Sequence, residues 1–149
     1  MTTATDIFAL AIAMMDEMND QGQADHSDTQ EYKNRTLPIL NILRGELYPY
    51  SDTYAVGDES GRPISAWITD FDTVIDLDDY ICQSVMPYGL AAHLLMDENP
   101  TSANFFQQRY DELKMGLMRG YPSSGSEDIV DVYGAKGGIN PYNEYSAWN

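Results

Sequence analysis

The sequence has little positive charge, and this shortage excludes several kinds of partner. Its 149 residues include 24 Asp and Glu but only 8 Lys and Arg, a formal charge of −16 at pH 7. Nucleic-acid binding depends on Lys and Arg that displace counterions, and anionic membranes attract basic segments. We therefore expect neither specific DNA binding nor membrane association. No apolar run approaches the roughly 20 residues of a membrane span, and no signal peptide is expected.

Cysteine, histidine and nucleotide-binding motifs are equally scarce. Cys82 is the single cysteine, which excludes an intramolecular disulfide framework and predicts a buried structural thiol. His26 and His93 have no second His or Cys at the spacing of a zinc site. Residues 134–138 contain glycine and lysine without the Walker A spacing. We expect a protein that is not an enzyme and uses no cofactor or metal.

An acidic cluster precedes one predicted helix and invites comparison with calcium-binding motifs. Its members are Asp70, Asp72, Asp76, Asp78 and Asp79. An EF-hand loop requires glycine at its sixth position, and the sixth residue counted from Asp70 is Ile75. The motif therefore fails. We interpret the cluster as a helix N-terminus, which Asp76 or Asp78 caps and whose dipole favours nearby carboxylates.

The organising element is a predicted helical hairpin over residues 77–117. Apolar residues recur in it at three- and four-residue spacing, the period of a buried helical face. They are Leu77, Ile81, Val85, Tyr88, Ala92 and Leu95, then Phe106, Tyr110, Leu113 and Leu117. Between the two runs, Asn99 can cap the second helix and Pro100 suits its first position. So short a connector predicts antiparallel helices.

Two more helices are predicted before the hairpin. The first covers residues 4–19, with Gly22 just beyond its end. The second covers residues 28–47, and Ser27 with Gln30 has the form of a capping box at its start. The fold class is therefore mainly α, a small helical bundle around a central hairpin.

Two prolines fall inside these predicted helices. Pro38 lies in the second helix and Pro87 in the third, and each removes one backbone donor. Either the helix kinks at the proline or it divides into two pieces. The pattern alone leaves both possibilities open.

Residues 48–76 lose the helical period and form an insertion within the predicted domain of residues 1–120. Short β-prone runs at 53–56 and 64–68 flank a polar turn, which predicts either a β-hairpin or an extended loop. An insertion this long in a small helical domain is usually functional or disordered.

Residues 121–149 form an extended C-terminal tail with little core-forming pattern, apart from a possible strand at 129–133. The tail is nevertheless rich in aromatic residues: Tyr121, Tyr133, Tyr142, Tyr145 and Trp148. Tyr and Trp are enriched as interface anchors because they bury a large area at low entropic cost. We expect the tail to dock on another chain, and the alternative is that it folds back onto its own helices.

Several sequence blocks resemble a family of small proteins from tailed phages and prophages of Gram-positive bacteria. They are Asp28-Thr29-Gln30-Glu31-Tyr32-Lys33-Asn34-Arg35-Thr36, Glu46-Leu47-Tyr48-Pro49-Tyr50, Pro87-Tyr88-Gly89-Leu90-Ala91-Ala92-His93-Leu94-Leu95 and Asn104-Phe105-Phe106-Gln107-Gln108-Arg109-Tyr110. The predicted hairpin is also similar to the head–tail connector, or adaptor, fold. In that fold an Ala/Leu-rich helix leads through a short acidic link into a helix with an aromatic-then-Tyr pattern, matched here by Phe106 and Tyr110.

The resemblance implies a homo-oligomeric ring, usually of twelve subunits, in the virion neck between the capsid portal protein and the next neck or tail-completion protein. The insertion at 48–76 would face the DNA channel through Tyr54, Asp58, Glu59, Arg62 and Trp67. The tail would dock on the portal protein through Tyr133, Tyr142, Tyr145 and Trp148. A twelve-subunit ring would carry about 190 negative charges, which would let DNA pass without binding.

Two other functions are compatible with the residues. One is a soluble acidic protein that mimics DNA and inhibits a host nuclease, although its carboxylates cluster at helix ends and loops rather than along one face. The other is a tail-completion protein, against which the low β content counts.

Overall fold

Four α-helices pack as a small bundle in the part of the chain that the computed structural model describes, residues 1–51 and 65–120, with side chains to residue 117. They are α1 (Ala4–Met14), α2 (Gln30–Leu47), α3 (Met86–Leu94) and α4 (Pro100–Gly120). The mainly α class is thus confirmed. Within these ranges the only β pairing is an isolated antiparallel bridge between Thr3 and Val74. The predictions for residues 52–64 and 121–149 lie outside the described ranges.

The centre of the bundle is α3, which contacts each of the other three helices. Nearly all of its residues are buried, because its sequence is apolar on every side. Gly89 allows side chains of α2 and α4 to approach the backbone of α3 closely. A Cβ atom there would lie 2.9 Å from Leu43 Cδ2 of α2 and 3.0 Å from the Tyr110 ring of α4. The absent side chain therefore lets α2 and α4 meet over α3.

Pro87 and Pro38 have different consequences for their helices. Before Pro87 the chain forms one π-helical turn, Ile81–Val85, and the Met86 N–H donates to the Ile81 carbonyl. Pro87 then stands in the first turn of α3, where a missing N–H costs little. By contrast, α2 continues through Pro38, which lies on the exposed side of the helix. There the carbonyl that loses its partner can bond to water.

The predicted helix starts and ends are partly confirmed. Asn99 Oδ1 accepts from the Ser102 N–H at 3.1 Å, and Pro100 is the first residue of α4. The capping box at the start of α2 is wrong by one residue. His26 and Thr29 form it, since Thr29 Oγ1 accepts from the His26 N–H at 3.1 Å.

The end of α1 differs more from the sequence-based expectation. The helix ends at Met14 instead of residue 19, because Asp16 adopts a left-handed φ of 60°. The Asp16 N–H then bonds to the Ala13 carbonyl at 3.2 Å, and the Glu17 N–H to the Ile12 carbonyl at 3.1 Å. This Schellman arrangement usually places glycine where Asp16 stands, so no stop signal could be recognised at that position.

The second part of the insertion runs beside α2 as an extended loop and forms no strand over residues 65–68. The Asn41 side chain takes the place of a neighbouring strand. Its Nδ2 donates to the Ile68 carbonyl at 2.9 Å, and its Oδ1 accepts from the Ile68 N–H at 3.0 Å. The extended-loop alternative therefore holds for these residues, and the β-hairpin alternative does not.

The same loop then crosses the start of α1. The Phe71 carbonyl accepts from the Thr5 N–H at 3.0 Å, and the Phe71 ring packs edge-on against Phe8 with centroids 5.8 Å apart. Further on, the Ile75 N–H donates to the Thr2 carbonyl at 3.0 Å. These contacts close the bundle on the side of α1.

The close approach at Gly89 makes a testable prediction. Gly89→Ala should lower the free energy of unfolding by about 1–3 kcal/mol, because the new methyl group overpacks Leu43 and Tyr110. Gly116→Ala is the matched control, since a Cβ at Gly116 meets nothing within 4 Å. It should be neutral or stabilising by up to about 1 kcal/mol. Urea unfolding of both variants measures the difference, and equal stability would contradict the packing argument.

Candidate interaction surfaces

Trp67 is the one predicted channel-side residue within the described ranges, and it is 65% exposed. Its backbone neighbours are fixed on both sides by α2. Asn41 holds Ile68, and Arg44 donates to the carbonyl and, at 2.6 Å, to the hydroxyl of Ser65. The structure thus presents a large aromatic side chain to solvent from a fixed backbone.

Arg44 is unusual because it is a buried cation, only 6% exposed. Its guanidinium carbon lies 5.3 Å from the Trp67 ring centroid, within range of a cation–π interaction. Its Nε is buried and has no hydrogen-bond partner. A buried donor without a partner lowers the free energy of unfolding. The unpaired Nε therefore offsets part of the stabilisation that Arg44 gains from its bonds to Ser65.

Sequence reasoning missed the roles of Asn41 and Arg44. A signal was nevertheless present, since the two residues lie three positions apart, on the side of α2 next to its apolar stripe. Polar residues beside such a stripe indicate a polar neighbour, although they do not identify it. The other predicted contact residues lie outside the described ranges: Tyr54, Asp58, Glu59, Arg62, Tyr133, Tyr142, Tyr145 and Trp148.

Within the described ranges, acidic residues are concentrated at helix ends and in loops. No Asp or Glu lies between Glu31 and Glu46, which covers most of α2. None lies between Glu98 and Asp111, which covers the first half of α4. The middle of α2 and the first half of α4 are therefore free of negative side chains, in a chain whose net charge is strongly negative.

Each of these two acid-free stretches also exposes a large apolar side chain. Ile42 on α2 is 58% exposed and Phe105 on α4 is 62% exposed. The Phe105 ring packs edge-on against buried Phe106 with centroids 5.6 Å apart, and Phe106 in turn contacts Tyr88. Phe105 is thus the outermost member of an aromatic array that begins in the core.

The Lys and Arg side chains described by the structure all have partners within the chain. Lys33 pairs with Asp25 at 2.5 Å, and Arg109 with Glu112 at 3.0 Å. Arg35 donates to the His93 carbonyl at 2.9 Å, where it also complements the dipole at the end of α3. The remaining two, Lys114 and Arg44, bond to Glu46 and Ser65.

Two tyrosines connect α2 to the hairpin through carboxylates. Tyr32 donates to Glu98 before α4, and Tyr110 donates to Glu46 Oε2 at 2.9 Å. Burial, followed by the adjacent carboxylate, raises the pKa of both phenols well above the usual value. For Glu46, burial acts to raise the pKa, but the bonds from Tyr110 and Lys114 outweigh it and the net pKa is lowered.

The acidic cluster has structural partners instead of the geometry of a metal site. Asp70 Oδ1 accepts from the Thr73 hydroxyl at 2.9 Å and closes a turn, and Asp79 Oδ1 accepts from the Thr2 hydroxyl at 2.7 Å. Asp78 lies three residues before the π-helical turn Ile81–Val85, and its carbonyl accepts from the Cys82 N–H at 3.0 Å. No group of three possible metal ligands occurs in residues 1–51 or 65–117.

Cys82 is fully buried, as the sequence predicted. Burial, with a smaller contribution from Asp79, raises the pKa of its thiol to about 12. The thiol is therefore protonated at neutral pH and is a packing residue.

Comparison with known proteins adds no assignment. No family model matches the chain, and neither does any curated protein or solved structure. In the part of the chain described here, no helix combines the length and apolar character needed to cross a bilayer.

The bonds made by Asn41 predict the behaviour of the loop. Asn41→Ala should lower the free energy of unfolding by at least about 2 kcal/mol, since two buried backbone groups lose their partner. It should also reduce the fluorescence anisotropy of Trp67, measured in a Trp148→Phe background that removes the other indole. Asn34→Ala, at an exposed position of the same helix, should leave both quantities nearly unchanged. Unaltered anisotropy in Asn41→Ala would show that the bonds from Asn41 to Ile68 do not hold the loop in place.

The lowered pKa of Glu46 predicts a pH dependence. Because its pKa is lower in the folded protein, the stabilisation is present above the ordinary glutamate pKa of 4.5 and is lost as pH falls through the folded pKa. Tyr110→Phe removes one of the bonds and should make this loss shallower. Tyr80→Phe, at an exposed position, should follow the wild type. The free energy of unfolding of each protein is measured as a function of pH below pH 5. Parallel curves for Tyr110→Phe and the wild type would show that Tyr110 does not lower the pKa of Glu46.

Proposed function

We propose that this protein is a non-enzymatic structural component of a tailed-phage virion, a head–tail connector. It forms a ring that binds the portal protein and extends the DNA channel to the next neck or tail component. The observation that supports this best is the α3–α4 hairpin, in which Phe106 and Tyr110 are both buried. These are the positions at which the resemblance has its aromatic-then-Tyr pattern.

The distribution of charge also supports a channel component. Every described Lys and Arg has a partner inside the fold, so few cations remain to hold a phosphate backbone. A channel that DNA must pass requires such a surface, because free cations would retain the DNA by releasing counterions. Exposed Trp67 lies in the insertion assigned to the channel side and is available to a neighbour.

The first test is quantitative mass spectrometry of intact particles from the source. A ratio of this chain to the portal protein near one to one is expected for a neck ring. Absence of the chain from finished particles would exclude the connector function.

A second measurement tests docking on the portal protein. The full chain should bind purified portal rings, and alanine at Tyr133, Tyr142, Tyr145 and Trp148 together should abolish binding. Trp67→Ala is the matched control, because the proposed contact with the portal protein is made by the tail. Unchanged binding by the four-alanine variant would exclude the docking role of the tail.

An acidic inhibitor that mimics DNA is the second candidate, favoured by the charge of −16. Such a mimic needs carboxylates spaced along an exposed face, whereas the middle of α2 and the first half of α4 are acid-free. Competition with DNA for a host nuclease, together with absence from particles, would select this function over the connector.

A further inference from the structure

Residues 65–69 lie beside α2 as an extended segment that has one bonded edge and one exposed edge. The Ile68 N–H and carbonyl both bond to the Asn41 amide, at 3.0 and 2.9 Å. Backbone groups of successive residues in an extended chain point to opposite sides, so those of Trp67 and Thr69 point away from α2. Both residues are exposed, and no backbone hydrogen bond joins either of them to the rest of the described chain.

We propose that this exposed edge pairs with residues 129–133 of the same chain, as a parallel strand. An exposed edge is a template for an added strand, which supplies the missing backbone partners. The tail contains one run in which β-branched and aromatic residues predominate, Ile129-Val130-Asp131-Val132-Tyr133. This run lies outside the described ranges and is the occupant that the proposal assigns to the edge.

The tail begins near the end of α2. Tyr32, near the start of α2, donates to Glu98 just before α4. Glu46, near the end of α2, accepts from Lys114 at 3.1 Å. The two helices therefore run side by side in the same direction. After Lys114, α4 continues for six more residues, or about 9 Å.

The exposed edge begins at the same end of α2. Arg44, in the last turn of that helix, donates to the Ser65 hydroxyl at 2.6 Å. The segment then runs back along α2 towards Lys33, whose Nζ lies 5.3 Å from the Phe71 ring centroid. A tail that arrives from the end of α4 therefore meets the segment at Ser65 and runs parallel to it. Residues 121–128 can span about 26–29 Å, more than twice the diameter of a helix.

Charge favours the same direction. Aligning the two five-residue segments in parallel places Lys136 level with Asp72, because each lies three positions beyond its segment. Lys136 is the only Lys or Arg of the tail. Asp72 is exposed, and no ion pair in the described ranges involves it. Antiparallel alignment would instead place Asp128 level with Asp70, which is a repulsive arrangement.

Trp67 adds side-chain contact to the backbone pairing. Its ring is 65% exposed, and the Arg44 guanidinium carbon lies 5.3 Å from the ring centroid. In the parallel alignment, Ile129 and Tyr133 lie diagonally beside Trp67 on the same face. Cross-strand pairs of aromatic and β-branched residues stabilise a sheet in addition to its hydrogen bonds.

The tail of the same chain is favoured over the tail of a second copy. A short tether holds a segment at an effective concentration on the order of millimolar. Two separate chains each carry a formal charge of −16 and repel one another. The inference does not rest on the proposed function, since Tyr142, Tyr145 and Trp148 lie beyond the paired run and remain available to a portal protein.

Amide hydrogen exchange of the full chain, followed by NMR, tests the pairing. The Trp67 and Thr69 amides should exchange at least about tenfold more slowly than in an unstructured peptide, at every protein concentration. The Ile68 amide is the internal reference, because its bond to Asn41 should protect it in every variant with an intact loop. Unprotected Trp67 and Thr69 amides would overturn the proposal. Protection that disappears on dilution would also overturn it, because the strand would then come from another copy.

Two proline variants distinguish strand pairing from any other contact. In the parallel alignment the Val132 N–H faces the edge and the Asp131 N–H faces away from it. Val132→Pro should therefore reduce the protection of the Trp67 and Thr69 amides at least about tenfold. Asp131→Pro should reduce it less, since proline is tolerated where the N–H faces solvent. Effects of equal size, or no effect of either variant, would overturn the proposal.

Charge reversal tests the direction of the strand. Lys136→Glu should reduce the same protection about two- to fivefold, because repulsion replaces an exposed ion pair. Asp72→Lys in the same chain should restore it, and Lys136→Arg is the matched control that should match the wild type. A double variant without restored protection would overturn the parallel arrangement. None of these measurements requires a portal protein, so their results are independent of the proposed function.

Discussion

The fold depends on the burial of α3. This helix has no polar side, so it has to be covered in every direction, and α1, α2 and α4 provide that cover. Gly89 sets how closely two of them can approach, because Leu43 and Tyr110 converge on the position that a side chain would fill. The remaining polar connections follow from this arrangement. Once α2 and α4 meet over Gly89, Glu46 lies within reach of both Tyr110 and Lys114.

The sequence was most informative where a local rule applied. Periodic apolar residues located the four helices, and Asn99 with Pro100 located the start of α4. The end of α1 could not be read, since Asp16 adopts a backbone conformation that the rules associate with glycine. The π-helical turn before Pro87 was not predicted, because a proline indicates an interruption of the helix without specifying its form.

The candidate surfaces were less predictable, because they depend on residues distant in sequence. Asn41 and Ile68 are separated by 27 positions, and no periodicity connects an amide on a helix with the backbone of a loop. Arg44 could be read only as a polar residue beside an apolar stripe. The sequence did show that acids collect at helix ends. The exposure of Ile42 and Phe105 on the acid-free stretches between them emerged only from the packing.

The positions of Ser51 and Ser65 have a consequence for how the chain can vary. Both residues are buried, and Ser65 is held by Arg44 near the end of the helix that leads to Ser51. Ser51 and Ser65 are therefore two anchored positions of the bundle, separated by 13 residues of sequence. The entropy of closing a loop rises slowly, by about 0.6 kcal/mol for each doubling of length. Changing the number of residues between the two anchors therefore costs the bundle little loop-closure entropy, so chain length between Ser51 and Ser65 is weakly constrained by this term.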